Sequence, residues 1–275
     1  MGVKEPAPTP SPTRAVVLEG ERFEVVVGRP DIAAFWQKAD AGRWEGDTFA
    51  FVRQHVGAQT TFVDVGAWIG PISLYASRHA GRVLALEPDP VAHGDLMLNV
   101  RANGAKVEIL NVGIDTTEGE LTLYAPTGLG QSTTSSFSTE GAAAITVKTM
   151  TFDQISDRLA ATDEVAVKVD IEGHEYRMID AIVAFARRHQ APLHISLHPR
   201  SFYTDSRRAS DPFTARLATW RATGELVRKL AALGPVTMSA SGAAFSRGLL
   251  FKFLFLRRLI KNFSLTVETG RINSI

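Results

Sequence analysis

Short β-branched runs in this chain alternate with longer stretches in which apolar residues recur at helical spacing. Ala15–Leu18 and Phe23–Val27, separated by Glu19-Gly20-Glu21, predict a β-hairpin. Asp31–Lys38 and Thr48–His55 predict two short helices, the second leading into the apolar run Phe62–Val65. From there strands and helices alternate. A helix opens at Pro71, whose fixed φ suits a first turn. Arg82–Leu86 predicts the next strand. Asp89 can cap, and Pro90 can open, a helix that stops near Asn103-Gly104. Lys106–Val112 predicts a third strand.

Beyond it, Leu121–Tyr124 and Ala144–Lys148 predict extra strands flanking Thr127–Gly141, a loop rich in Gly, Ser and Thr. Phe152–Ala160 predicts a helix. Val165–Ile171 is apolar at nearly every position, as a strand buried on both faces must be. The following helix carries Tyr176, Ile179, Ile182, Val183 and Ala186 on one stripe, with Arg187 and Arg188 near its negative end. Leu193–Leu197 is a fifth strand. Asp211-Pro212 opens a helix ending at Gly234, and Phe263–Thr269 predicts a late strand closing the sheet edge antiparallel. Strands joined through helices of this length make an α/β fold with a doubly wound, mostly parallel sheet. The expected division is a disordered tail over 1–13, a hairpin and helical cap over 14–57, and a sheet domain over 58–275. Within it, 235–275 supplies a sheet edge and an apolar-basic segment.

Composition changes this picture little. The chain has 275 residues, 45% hydrophobic and 21% charged, an ordinary globular balance with ample core. Lys and Arg number 30 against 29 Asp and Glu, a net charge of +1, which makes no electrostatic case for a nucleic-acid binder. The lack of cysteine excludes disulfides, thiolate metal sites and cysteine nucleophiles. No run reaches the roughly 18 apolar residues of a spanning helix, and residues 1–13 lack a signal-peptide core, so a cytoplasmic location is expected. Gly248–Lys261 crowds Leu and Phe with Lys252, Arg257, Arg258 and Lys261. It predicts a buried edge element or, alternatively, an interfacial helix in peripheral contact with a membrane.

The candidate chemistry centres on Val63-Asp64-Val65-Gly66-Ala67-Trp68-Ile69-Gly70-Pro71, a strand, tight turn and helix start in one phrase. A dinucleotide site needs a glycine where Trp68 stands, and Asp64 would repel phosphates there. An acidic residue suits a cationic cofactor without phosphate, such as S-adenosylmethionine. Glu87 ends the second strand about twenty residues on, where a carboxylate can accept both ribose hydroxyls. Asp170, Glu172 and His198 fall at or just past the ends of parallel strands, where ligands bind open sheets. Asp170 and Glu172 can face a cleft or flank one cation, but two carboxylates do not specify a divalent metal. A hydroxyl nucleophile needs a base or metal beside it. His198 is the preferred base, and His174 the lesser candidate. Thr127–Gly141 suits a substrate lid and a disordered loop equally. Trp44-Glu45 suits closure over the cofactor and plain surface packing equally.

Three phrases carry a family resemblance: Val63 to Gly70, then Glu87-Pro88-Asp89-Pro90 with Asn99 downstream, then Lys168-Val169-Asp170-Ile171-Glu172-Gly173-His174-Glu175. In this order and spacing they resemble the FkbM-type methyltransferases over roughly residues 44–199. The resemblance implies a Rossmann-like class I methyltransferase fold and S-adenosylmethionine-dependent O-methylation of a hydroxyl on a sugar, glycolipid or natural product. It implies a cofactor site on Asp64, Gly66, Ala67, Gly70 and Glu87, with Asn111 to Asp115 near adenine. Where members usually carry asparagine and alanine, this chain has Trp68 and His174. The implied partner is a small-molecule or glycan hydroxyl acceptor rather than nucleic acid. Two alternatives stand beside this reading. One is a nicotinamide-dependent Rossmann oxidoreductase, against which Trp68 argues; the other is a non-catalytic module docking through Gly248–Lys261.

Overall fold

The computed structural model describes residues 12–137, 141–161, 163–255 and 260–269. Strands β1 (Thr13–Leu18) and β2 (Glu21–Val26) form the hairpin, in register from Thr13↔Val26 to Leu18↔Glu21. Thr13 therefore belongs to a strand and not to a tail, while residues 1–11 of the expected tail lie outside the described residues. Helices α1 (Pro30–Asp40) and α2 (Gly46–His55) follow. The winding then runs β3 (Thr60–Val65), α3 (Pro71–Ala76), β4 (Arg82–Leu86), α4 (Pro90–Ala102) and β5 (Val107–Leu110). Strands β6 (Gly113–Ile114), β7 (Gly119–Ala125) and β8 (Ala143–Met150) make a separate three-stranded sheet in the order β6-β8-β7. Next come α5 (Phe152–Ser156), β9 (Glu164–Val169), α6 (Glu175–Arg188) and β10 (Leu193–Leu197). The last elements are α7 (Pro199–Ser206), α8 (Pro212–Leu230), β11 (Val236–Met238), α9 (Arg247–Phe255) and β12 (Phe263–Val267).

The seven-stranded sheet has the order β11-β12-β10-β9-β3-β4-β5. Strands β5, β4, β3, β9 and β10 are mutually parallel, whereas β12 runs antiparallel to β10 and β11 antiparallel to β12. The late strand is thus antiparallel as its pattern suggests, but it does not form the edge. Val236–Met238 does, a strand too short to show a period in sequence.

Side chains alternate across the sheet and fill two cores. Val63, Val65, Val167 and Val169 face α5, α6 and α8, where Met178, Ile182, Phe185, Leu226 and Leu230 are buried. Phe62, Val83, Ala85 and Ala166 face the hairpin and α1 to α4, with Trp36 and Tyr75 at most 2% exposed. Each large apolar side chain buried this way contributes on the order of 1.5–3 kcal/mol. The residues expected as a cap pack directly on the sheet, in the same core as its strands. Helix α9 inserts Leu250 among Trp220, Tyr203 and Phe263 and leaves Phe251 exposed. Part of the apolar-basic segment, residues 256–259, lies outside the described residues. Among the described residues no helix is long and apolar enough to cross a membrane.

One buried charge interrupts the apolar β9. Lys168 points to the same face as Asp64, its register partner on β3, and the ammonium lies 3.0 Å from Asp64 Oδ1. It also donates to the Gly66 carbonyl at 2.7 Å, while the Ser73 hydroxyl donates to Asp64 Oδ2 at 2.6 Å. Burial works against the charge on Lys168, but Asp64 and Asp170 outweigh it and raise its pKa. Asp64 is fully buried in this pair. Lys168→Met is expected to cost about 3–5 kcal/mol in urea denaturation, because it leaves an uncompensated buried carboxylate. Adding Asp64→Asn should recover part of that loss; a double variant no more stable than Lys168→Met alone would refute the pairing account.

Candidate active site

Strand β3 continues through α3 to β4 on one side, and its other neighbour, β9, continues through α6 to β10 in the opposite direction. Strand order reverses here, and the carboxyl ends splay into a crevice. A cavity of about 280 Å3 fills it, close to the low end of the roughly 300–1,000 Å3 of small-molecule sites.

The turn after β3 forms the floor. The Gly66 and Ala67 N–H groups both donate to the Leu86 carbonyl, and the Asp170 N–H donates to the Val65 carbonyl. Gly66 has φ +81, and a Cβ there would sit 1.9 Å from the Asp170 carbonyl oxygen, so no side chain fits. Trp68 also adopts a left-handed φ, +50. That region is uncommon for residues other than glycine, asparagine and aspartate. Here the strain is offset by contacts. The Trp68 indole donates to the Gly130 carbonyl at 2.9 Å and packs edge-on against Phe35, centroids 4.4 Å apart.

Glu87 lines the cavity beside Gly66, Ala67 and Trp68. One carboxylate oxygen accepts from the Trp68 N–H and the other from the Asp89 N–H, both at 2.8 Å. Burial pushes its pKa up to about 7 despite these two donors. Val112, Gly113 and Ile114 line the wall past β5. Gly70, Asp64 and Asp115 do not line it. Gly70 caps α3 with φ +90, Asp64 is locked to Lys168, and Asp115 accepts from the Thr116 N–H beside Arg177. Asp64 therefore presents no free charge to an incoming ligand, which corrects the expectation that it would repel phosphates. The acidic character of the cavity comes instead from Glu45, Glu87, Asp170 and Glu172. Burial and the nearby Asp170 raise Glu45 to about 7.

The opposite wall gathers the three residues singled out for chemistry. Asp170 and Glu172 face the cavity at the end of β9. His198, after β10, stands behind them, its Nε2 3.5 Å from both Asp170 Oδ1 and Glu172 Oε1. Burial alone would lower the His198 pKa, but Glu175 and Glu172 hold it well above the usual range. Burial raises Glu172 above the ordinary carboxylate value. His174, in contrast, lines the cavity directly. Its Nδ1 lies 2.9 Å from the Ser136 hydroxyl and its Nε2 3.6 Å from Asp115, and burial lowers its pKa. The lesser candidate, His174, is thus the histidine that borders the cavity.

The roof comes from distant segments. Phe35, Lys38, Trp44 and Glu45 cover one side, and Gln131, Ser132, Thr134 and Ser136 the other. The loop over 127–137 is ordered by its own bonds. Arg29 donates to the Gly130 carbonyl at 2.8 Å, the Gly130 N–H donates to Asp89 Oδ2 at 2.6 Å, and the Ser135 hydroxyl donates to the Glu172 carbonyl. Residues 138–140 of the expected lid lie outside the described residues. Lys168, Glu175 and the Trp68 indole form the site without having been assigned a chemical role from the sequence. A lone lysine inside an apolar strand was the one available signal.

Glu87 is poised to gain its charge near neutrality, and a charged carboxylate accepts from hydroxyls better than a neutral one. Calorimetric affinity for S-adenosylhomocysteine is expected to rise as pH passes through about 7. In Glu87→Gln it should be flatter with pH and weaker by about 1.5–3 kcal/mol above that point. An unchanged profile in the variant would separate Glu87 from the ligand's hydroxyls.

Comparison with known proteins gives matches to methyltransferases. Over 148 residues the chain is 28% identical to the hexuronic acid methyltransferase AglP of Haloferax volcanii, a match covering 54% of this chain and 60% of that protein. A methyltransferase FkbM from Methylobacillus flagellatus aligns with 22% identity over 51% of this chain and 33% of its own, at a TM-score of 0.34. A SAM-dependent methyltransferase from Agrobacterium tumefaciens aligns with 14% identity over 94% and 70%, at 0.45. The strand order, rather than these superpositions, defines the fold. The methyltransferase FkbM domain matches residues 64–230, well over half of the chain, and the protein belongs to that methyltransferase family.

Proposed function

We infer that this chain transfers the methyl group of S-adenosylmethionine to a hydroxyl of a sugar or glycan. The observation that carries this reading is the convergence of Asp170 and Glu172, backed by His198, in one cavity with the glycine turn at Gly66 and with Glu87. In this reading the cofactor lies along Gly66–Trp68, its ribose hydroxyls donate to Glu87, and its adenine rests near Val112–Ile114. Four cavity carboxylates against Lys38 and the paired Lys168 favour a cationic sulfonium. The family match favours methyl transfer over hydride transfer.

Methyl transfer is an in-line displacement, and the cofactor supplies the activated methyl. The protein's part is to align an acceptor oxygen and take its proton. Asp170 and Glu172 face the cavity where that oxygen would sit, and His198 backs both carboxylates. Glu172, with its pKa raised by burial, is better matched to accept a proton near neutrality than an ordinary carboxylate. The sugar class is supported by the relative named as a hexuronic acid methyltransferase and by the hydroxyl- and amide-bearing roof residues Gln131, Ser132, Thr134 and Ser136.

Labelled S-adenosylmethionine incubated with a panel of hydroxylated glycans, hexuronic acids included, should transfer its label into an alkali-stable ether. Glu172→Gln is expected to lower turnover on the order of a hundredfold while calorimetry shows S-adenosylhomocysteine bound about as tightly as before. A protein with no affinity for S-adenosylhomocysteine would overturn the assignment.

A further inference from the structure

Asp170, Glu172 and His198 offer two carboxylate oxygens and one imidazole nitrogen, all within 4.8 Å of one another. The nitrogen is 3.5 Å from each oxygen. Neighbouring donors held about 2.1–2.2 Å from one ion in octahedral array stand roughly 3.0 Å apart, so the two nitrogen–oxygen pairs lie within about half an ångström of the spacing of a coordination shell. Two carboxylates converge here in a recess, an arrangement that calls for positive charge between them, from a metal ion or from protonated His198.

Two further observations point to an ion. Asp170 Oδ1 is shut away from solvent and has no hydrogen-bond partner, although it points at the cluster. His198 is 5% exposed, and its other ring nitrogen lies 3.3 Å from the fully buried Glu175 carboxylate. Glu175 also accepts from the backbone N–H groups of His198 and Gly173, each at 2.7 Å. A ligating histidine is characteristically oriented this way, by a carboxylate on the far nitrogen that leaves the near one aimed at the metal. Glu175 is a positioning residue in this arrangement.

We propose that Asp170, Glu172 and His198 bind one divalent cation at the wall of the cavity. Two carboxylates and one imidazole leave the rest of an octahedral shell to water or an acceptor, and Mn2+ is the ion chosen as probe of this set. Asp170 and Glu172 both line the cavity, so the open side of the ion faces it. The role of the ion rests on the methyl-transfer reading; its binding does not. An acceptor hydroxyl coordinated there becomes more acidic. Its proton passes through the second oxygen of Glu172 to water. The oxygen then forms the new C–O bond as the carbon–sulfur bond of the sulfonium breaks, leaving a neutral thioether.

The test is titration of the metal-stripped full chain with Mn2+, followed by electron paramagnetic resonance of free Mn2+ and by calorimetry. One ion per chain is expected. Asp170→Asn and Glu172→Gln keep side-chain size at partly exposed positions, and thermal melting will verify their folds. Each should weaken Mn2+ binding by more than the roughly 10- to 100-fold that loss of an outer partner costs. S-adenosylhomocysteine affinity, measured on the same samples, should stay near its starting value. Absence of Mn2+ binding, or binding indifferent to both variants, overturns the proposal and leaves protonated His198 as the counter-ion of the two acids. Mn2+ binding without S-adenosylhomocysteine binding would uphold the ion site and refute the methyl-transfer reading instead.

Discussion

The ammonium of Lys168 holds the site in shape. From β9 it reaches across the sheet face to the Asp64 carboxylate and to the Gly66 carbonyl in the turn after β3. One side chain thus joins the two strands that diverge at the crevice. Removing charges from water is expensive, and such a pair is tolerable only when geometry and further hydrogen bonds repay the desolvation. Ser73 on α3 supplies one of these bonds to Asp64. The missing Cβ at Gly66 lets the turn approach the Asp170 carbonyl. The glycine and the lysine are therefore parts of one constraint, which sets how closely β3 and β9 carry their ends together.

Around that floor, the cavity is completed by groups drawn from far along the chain. Arg29, at the start of α1, reaches the Gly130 carbonyl 101 residues away. Trp68 meets the same carbonyl from below. Asn99 on α4 donates to the Ile69 carbonyl and accepts from the Val26 N–H, tying the turn to the hairpin. The hairpin and α1 are consequently structural supports of the site as well as its cover. Among the described lining residues the acids are Glu45, Glu87, Asp170 and Glu172, and Lys38 joins the paired Lys168 as a lysine there.

Much of this could be read from the chain alone. The alternation of apolar runs and helical stripes specified the parallel strands and their connecting helices, because period and length are local properties. Caps at Asp89 and Asp211 marked their helices correctly, each side chain accepting from the N–H groups of the first turn. Asp170, Glu172 and His198 were recognisable as strand-end residues, since ligands gather at those ends in any open sheet. The placement of Asp64 was not readable. Its position beside a glycine turn fits a ligand contact and a buried pair equally well, and only the register Asp64↔Lys168 across two strands decides between them.

Sequence by itself determined the fold class, the strand-and-turn grammar of the crevice and the membership of the FkbM methyltransferase family, because these depend on local propensity and ordered motifs. Tertiary structure alone decided that Asp64 faces a lysine, that His174 lines the cavity while His198 stands behind two acids, and which loop covers them. Those outcomes depend on pairings between residues many positions apart. Loop closure and burial select such pairings only when the whole chain has packed.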